Sequence, residues 1–216
     1  MPLSEKEQQQ INTLVGRFEA DTGIQAVAAV VGKADAYPEI PWKAYAIGSA
    51  LGALAVVLYP LPLTDWSGGS TLAFHAMAIL GAGAVLAAGA AFIPAFGRLF
   101  LDRVRAEAEV RQYALAMFVE RELFRTSARR AVLLLISRFE RVAVVLPDTG
   151  LAQYAPSADL GRVAGAMHAA FVSRGEGAGF EAGFRSLKAL LDARGYSAIA
   201  SASNELEDDA VMEKGA

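Results

Sequence analysis

Charged and hydroxyl side chains border a pair of short aliphatic runs in the C-terminal half of the chain. Thr126, Arg129 and Arg130 precede the first run, and Asp148 follows the second. If the runs pair as an antiparallel hairpin, the start of one strand lies beside the end of the other, so these side chains meet at one rim. The group could hold a polar ligand, or it could be a surface ion pair that fixes a loop, worth at most about 1 kcal/mol. Both interpretations stay open, and the ion pair is the simpler.

Phosphate-ester hydrolysis needs a nucleophile or a metal-held water, together with groups that stabilise the phosphoryl oxygens. The sequence shows no compact set of this kind, because it has no cysteine, no histidine pair and no GxxxxGK[ST] loop. Asp35 and Asp148 directly follow predicted strands, but we expect them at opposite ends of the sheet, where they would not share a metal. His75 and His168 each stand alone. Solvated or surface histidines are the simpler interpretation.

A small α/β domain is the framework that the periodicity predicts around these residues. Short apolar runs bounded by turn residues are typical of buried strands; they are Ile24–Val31, Val132–Ile136 and Val142–Leu146. Helical spacing predicts four amphipathic helices: one opened by a capping box of Ser4 and Glu7 and ended by Gly23, one over Arg98–Phe124, one capped by Ser157, and one ending before Gly195. The fold class expected is α/β, a small helix-covered sheet interrupted by a two-helix transmembrane hairpin.

The helix predicted over Arg98–Phe124 has apolar residues at helical spacing and arginines between them. Five residues are predicted to face the core: Phe100, Val104, Ala108, Leu115 and Phe118. Arg98, Arg103 and Arg105 are predicted to face the lipid, where anionic headgroups attract them. Ordinary solvated arginines are the alternative for those beyond Arg105.

Two uninterrupted apolar stretches, Ala44–Leu63 and Leu72–Phe96, separate the first strand from this helix. Each is long enough to cross a hydrocarbon layer, which needs about 20 helical residues, and neither contains an acid, a lysine or an arginine. The short link over residues 64–71 can join only antiparallel neighbours. Small residues at four-residue spacing predict that the two backbones pack closely: Gly48, Gly52, Gly83 and Ala87.

The orientation of this hairpin follows from its flanks. Lysines and arginines precede the first span and follow the second, and residues 64–71 contain none, which predicts that both termini are cytoplasmic. The segment Met1–Gly16 is polar rather than a secretory signal. Interfacial aromatic residues are predicted at both edges: Trp42 and Tyr45 inside, Tyr59 and Trp66 outside.

The predicted organisation therefore has four segments. Residues 1–41 give the N-terminal helix and strand, 42–97 the hairpin, 98–196 the remainder of the domain, and 197–216 an acidic tail expected to be disordered. The net charge of −3 owes much to that tail, and the rest of the chain has no strong basic field. Nucleic-acid binding is excluded on that ground.

A family resemblance rests on residues around the hairpin rim. The matching residues are Phe118, Glu122, Leu123, Phe124 and Thr126, then Ala131–Ser137, Glu140, Arg141 and Asp148–Leu151. This pattern is similar to the TPM domain in its bacterial membrane-associated form, from about Phe118 to Leu191. Two positions depart from the family: Ala131 stands where glycine is usual, and Thr149 stands where arginine is common.

The resemblance implies a TPM-like fold in a bacterial inner-membrane protein. Family members are linked to assembly or repair of membrane complexes, receptor accessory roles, calcium binding and a disputed phosphatase activity, and fold alone does not choose among these. We expect a membrane-anchored accessory protein that helps assembly, stability or quality control of a membrane complex. The alternative is a weak calcium-linked phosphatase. The expected partners are the bilayer and a membrane protein, with a homo-oligomer left open; any calcium site would involve Asp148, Thr126 and Arg129.

Overall fold

The part of the chain that the structure describes is mostly helical, with four short strands. The computed structural model describes residues 4–58, 69–126, 128–197 and 210–215. Within these ranges the elements are α1 (Glu5–Thr22), β1 (Gln25–Val31), α2 (Glu39–Leu58), α3 (Gly69–Phe92), α4 (Pro94–Gly97), α5 (Arg103–Glu120), β2 (Ala131–Ser137), β3 (Val142–Pro147), α6 (Ser157–Arg174), α7 (Glu176–Ala193) and β4 (Val211–Glu213). The predicted α/β class is confirmed. The chain divides into two compact units, Met1–Asp35 with Val104–Ala216, and Ala36–Arg103.

The first unit contains a mixed four-stranded sheet in the order β3-β2-β1-β4. β1 and β2 are parallel, with Gln25 opposite Ala131 and Val31 opposite Ser137, whereas β2 and β3 form an antiparallel hairpin. Every residue of β1 and β2 is buried, as expected of strands covered on both faces. The three predicted strands and the predicted hairpin of β2 and β3 are confirmed.

Helices cover both faces of this sheet. Alternate residues of β1 point to opposite sides: Ala26, Ala28 and Val30 pack with α1, α6 and α7, and Val27, Ala29 and Val31 pack with α5. The predicted capping box of Ser4 and Glu7 opens α1, and Gly23 ends it in the left-handed conformation. The helix predicted after Ser157 is also present, although its N-cap is Pro156 and Ser157 is its first residue.

The prediction of one helix over Arg98–Phe124 is wrong in extent, and its inward face is wrong at three of the five predicted positions, although Phe118 does pack against the core. The chain forms a 3-10 turn at Arg98–Phe100, the helix α5, and a second 3-10 turn at Leu123–Arg125. The side chains that α5 buries are Ala106, Val110, Ala114 and Met117, while the predicted inward residues Val104, Ala108 and Leu115 are exposed. Val110, Ala114 and Met117 of this face pack against the sheet.

The prediction of a disordered tail is wrong for its last part. Val211–Glu213 form β4, which pairs in parallel with Ala29–Val31 of β1. The Glu213 carboxylate accepts hydrogen bonds from the Tyr113 hydroxyl at 2.5 Å and from Arg121 at 3.2 Å, so this strand is attached to α5 as well as to β1. The tail prediction for residues 198–209 lies outside the described residues.

The second unit contains α2 and α3, which pack against each other at glycines. A Cβ atom on Gly48 would lie 2.7 Å from the Ala82 carbonyl oxygen, and one on Gly52 would lie 3.2 Å from Ile79 Cα. Gly83 likewise approaches Tyr45. The predicted close packing is confirmed at Gly48, Gly52 and Gly83, while Ala87 lies partly buried on α3.

α2 and α3 are each long and apolar enough to cross a membrane. Only 17% and 6% of their most apolar windows are buried, whereas the core helix of a soluble protein is mostly buried. α3 ends at Phe92, because Ile93 is extended and Pro94 is the first residue of the short helix α4. The predicted aromatic residues Trp42 and Tyr45 form an edge-to-face pair at 6.2 Å; Tyr59, Trp66 and most of the predicted link lie outside the described residues.

Candidate functional site

The rim where β2 begins and β3 ends brings the predicted polar residues together. The backbone N–H of Asp148 donates to the Ala131 carbonyl at 2.8 Å, and the N–H of Gly150 donates to the Arg129 carbonyl at 3.0 Å. These bonds extend the β2–β3 ladder by one step and hold the two loops in contact. We call Thr126, Arg129, Asp148 and Thr149 the rim site.

Asp148 is the most buried charged group of the rim site, since only 4% of its surface is exposed. Its Oδ1 accepts from the backbone N–H of Thr149 at 2.6 Å, which caps the 3-10 turn Thr149–Leu151. Its Oδ2 lies 3.2 Å from Nε of Arg129 but has no hydrogen bond of good geometry among the described residues. The negative charge of the carboxylate is therefore balanced by Arg129, while its Oδ2 can still accept a hydrogen bond.

Arg129 is held in place by its surroundings. Its backbone lies in the left-handed region, with φ 54°, and its guanidinium donates to the Phe124 carbonyl at 2.9 Å and lies 5.7 Å from the centre of the Phe124 ring. These contacts fix the cation beside Asp148. The predicted approach of Arg129 to Asp148 is confirmed, and ligand binding by the pair stays a prediction.

Thr126 and Arg130 have structural roles in the same loop. Thr126 is buried; its hydroxyl accepts from the Arg130 N–H at 3.1 Å and its carbonyl accepts from the Arg129 N–H at 3.0 Å. The Arg130 guanidinium lies over the Tyr196 ring at 5.9 Å. The expectation that Arg130 meets Asp148 is therefore wrong, because Tyr196 offers it an aromatic face on the other side of the loop.

The rim site does not fit a calcium ion. Calcium takes six to eight oxygen ligands, several of them carboxylates, whereas the rim site supplies one carboxylate with an arginine beside it. No group of three or more His, Asp or Glu side chains within residues 4–58, 69–126, 128–197 and 210–215 could hold a metal. Asp35 lies past the end of β1 and pairs with Arg105 at 2.9 Å. Since β1 and β2 are parallel, Asp35 and Asp148 are at opposite ends of the sheet, as predicted.

Two further buried carboxylates were missed by the sequence reasoning. Asp159 accepts hydrogen bonds from Arg162 and Arg194, and these bonds hold the pKa of its carboxyl below the usual value. Glu140 accepts from the Ala34 N–H at 2.8 Å and from the Ser137 hydroxyl. Both carboxylates have partners on two elements, so they join parts of the domain. The Asp159–Arg162 spacing was the one available sequence signal.

The arginines predicted to face lipid lie at or near the protein surface. Arg98 donates to the Pro94 carbonyl at 3.2 Å, which satisfies an end of α4. Arg103 is exposed at the start of α5, and Arg105, with 42% of its side chain exposed, pairs with Asp35 and Glu109. Lipid contact by these three residues stays a prediction.

Comparisons with known proteins bear on the fold. No protein-family model matches the sequence, and no curated protein matches it. The chain is similar to a solved structure, the NMR structure of BA42 protein from the psychrophilic bacterium Bizionia argentinensis, with a TM-score of 0.57 and 10% sequence identity over 98% of this chain and 96% of that chain. At this identity the likeness concerns the fold alone.

Proposed function

We propose that the chain is an integral membrane accessory protein whose α2–α3 hairpin is inserted in the bacterial inner membrane. The observation that carries this proposal is the distribution of burial along the hairpin. The buried residues of α2 are Ile40, Ala44 and Gly48, and those of α3 are Gly83 and Ala90. The larger apolar side chains face outward, and each would cost about 1.5–3 kcal/mol in water relative to burial. A bilayer removes that cost.

The domain formed by the first unit belongs, in this proposal, to the TPM type and lies on the cytoplasmic side with both termini. The rim residues that resemble this family and the α/β fold support the assignment. The distribution of lysine and arginine around the spans supports the orientation. Arg98, Arg103 and Arg105 then lie at the inner surface, near anionic headgroups.

The function proposed for this domain is to bind a membrane protein and aid assembly, stability or quality control of its complex. The order of the elements supports it, because the hairpin lies in the chain between β1 and α5, so the domain is connected to it through both of its ends. The calcium-linked phosphatase stays a prediction that no observation favours, since the rim site offers one carboxylate paired to an arginine. We expect calcium not to raise the thermal stability of the purified protein, as it would if only the folded state bound it.

Orientation can be tested by thiol labelling, because the natural chain has no cysteine. Single cysteines at Gln9 and Glu181, both exposed on the first unit, should be protected from a membrane-impermeant maleimide in spheroplasts. A cysteine at Ser70, exposed at the start of α3, should react. Reaction at Gln9 or Glu181 without membrane lysis would contradict the orientation, and extraction of the protein by carbonate would contradict insertion.

The accessory role can be tested by photocrosslinking in native membranes. A photoreactive residue at Glu181 or His168 should repeatedly capture the same membrane protein, and the complex should lose stability when the gene is deleted. A matched probe at Leu54, which is exposed on the hairpin, separates capture by the domain from capture by the spans. Failure of every probe on the domain to yield a reproducible neighbour would reject the accessory role while leaving membrane insertion intact.

A further inference from the structure

α5 has a second apolar face, on the side opposite the one that covers the sheet. Its residues are Val104 (79% exposed), Leu115 (49%) and Val119 (63%), together with the exposed Ala108. At about 100° per residue these four lie on one side of the helix, and the polar residue among them, Gln112, is uncharged. We call this set the outer stripe.

An apolar stripe facing outward is unusual for a helix that covers one face of a small sheet, where the outward side is normally polar. Isolated exposed valines need no explanation. Here, however, the exposed apolar residues recur with helical spacing over four turns. A continuous apolar surface of this kind is typical of a site that a membrane or another molecule covers.

The charges around the outer stripe are ordered. Arg111 lies at one border, about 20° beyond Val104, and Arg105 lies at the other, about 40° beyond Val119. Glu107 and Glu109 lie further round the helix, toward the sheet. Arginines directly beside an apolar face are typical of helices that lie in a membrane interface, where the apolar face enters the acyl boundary and the cations meet anionic headgroups.

A second copy of the chain fits the outer stripe less well. The stripe runs from Val104 to Val119, so its midpoint falls between Arg111 and Gln112. A symmetric antiparallel pairing of two stripes would place the two Arg111 side chains beside each other at the dyad. That like-charge contact opposes the pairing, whereas an anionic lipid surface attracts Arg111; Arg105 is already paired with Asp35 and Glu109.

The connection to the hairpin also favours lipid. Two residues separate the turn Arg98–Phe100 from α5, and the exposed Leu99 lies in that turn. Val104, the first residue of the outer stripe, follows Phe100 by four positions in the chain. If the hairpin spans the bilayer, the first turn of α5 is therefore close to the inner interface.

We propose that the outer stripe of α5 lies in the headgroup region of the anionic cytoplasmic leaflet, so that the domain rests on lipid through this helix as well as being tethered by the hairpin. The inference depends on the membrane insertion proposed above. It adds that an anionic phospholipid is the ligand of α5, and that lipid charge controls how the domain is oriented.

The test uses the full chain in liposomes of phosphatidylethanolamine and phosphatidylglycerol, with single-cysteine spin labels at three positions. The label at Leu115 reports on the outer stripe, that at Leu51 on the outward face of α2, and that at Glu181 on the surface of α7. Accessibility to oxygen and to a water-soluble nickel chelate gives the depth of each label. We expect Leu115 and Leu51 to be reached by oxygen and shielded from nickel, and Glu181 to be reached by nickel.

The outcomes distinguish this inference from the proposed function. A Leu115 label that is open to nickel while the Leu51 label is lipid-exposed rejects the inference and leaves the hairpin in the membrane. A Leu51 label that is open to nickel rejects membrane insertion itself. A Leu115 label shielded from both reagents indicates a protein neighbour or a second copy, and also rejects lipid contact.

Charge reversal supplies a matched control. Arg111→Glu at the border of the stripe should raise nickel access to the Leu115 label several-fold, whereas Arg185→Glu on the exposed side of α7 should not. The difference should shrink in liposomes of phosphatidylcholine, which carry no net charge. Equal nickel access for the two variants in anionic liposomes, with both folded by circular dichroism, would overturn the role given to the border arginines.

Discussion

The contact between α2 and α3 makes a quantitative prediction for Gly48→Ala. The added methyl group would lie 2.7 Å from the Ala82 carbonyl oxygen and 2.9 Å from Gly83 Cα, where ordinary contact begins at 3.4 Å. Both neighbours are backbone atoms, so no side-chain rotation relieves the overlap. The helices must separate by about 0.7 Å at this point or distort locally, which loses contacts along the shared surface.

The expected magnitude combines two opposing effects. Overpacking of this kind costs about 1–3 kcal/mol, and replacing glycine by alanine inside a helix returns about 0.5–1 kcal/mol. The difference between the two ranges is about 0–2.5 kcal/mol, so we expect Gly48→Ala to lower the stability of the helix pair by about 1 kcal/mol. Gly81→Ala on α3 is the matched control, because its Cβ would meet nothing within 4 Å; it should leave stability unchanged or raise it slightly.

Fluorescence energy transfer can measure this helix pair separately from the sheet domain. Donor and acceptor dyes are attached to cysteines at Ile47 and Leu80, both exposed on their helices, and the protein is titrated with sodium dodecyl sulfate in mixed micelles. The midpoint at which transfer is lost should fall for Gly48→Ala and not for Gly81→Ala. Identical midpoints for the two variants would refute the argument that backbone contact at Gly48 holds the hairpin together.

The remaining predictions concern the sheet domain. Hydrogen bonds from Arg162 and Arg194 hold the pKa of the Asp159 carboxyl below its usual value. Its charged form therefore stabilises the fold above about pH 4, and that stabilisation disappears as the pH falls through the lowered pKa. The difference in melting temperature between the natural protein and Asp159→Asn should be largest near neutral pH and should vanish in acid. Arg141 has φ 54°, so Arg141→Gly should raise the free energy of unfolding by about 1 kcal/mol, whereas Arg141→Ala, which keeps a Cβ, should not. A Cβ on Gly150 would lie 2.5 Å from the Arg129 carbonyl oxygen. Gly150→Ala should therefore lower the free energy of unfolding, measured in urea, by about 1–3 kcal/mol. Gly161→Ala on α6, where a Cβ would meet nothing within 4 Å, should not lower it.

Much of the sheet domain was predictable because its signals are local. Strands covered on both faces are continuous apolar runs, and β1, β2 and β3 each have one. The meeting of Arg129 with Asp148 followed from the same runs, since an antiparallel hairpin fixes which ends are neighbours. The preference of Arg130 for Tyr196 did not follow, because that contact joins residues far apart in the chain.

α5 and β4 show where local signals fail. α5 has two apolar stripes of the same period, and periodicity cannot state which one faces the sheet. Val110 and Ala114 pack against it, while Val104 and Leu115 remain exposed. β4 has three residues, too few for a pattern, and depends on the edge of β1 and on the contact of Glu213 with Tyr113.

The sequence by itself determined the two apolar helices, the small residues between them and the α/β order of the domain, because each depends on composition and spacing within one segment. The tertiary structure alone decided which face of α5 is buried, how the C-terminal strand is held, and that Arg130 lies over the Tyr196 ring. These outcomes depend on distances between segments that are remote in sequence, and such distances are set by packing rather than by local pattern.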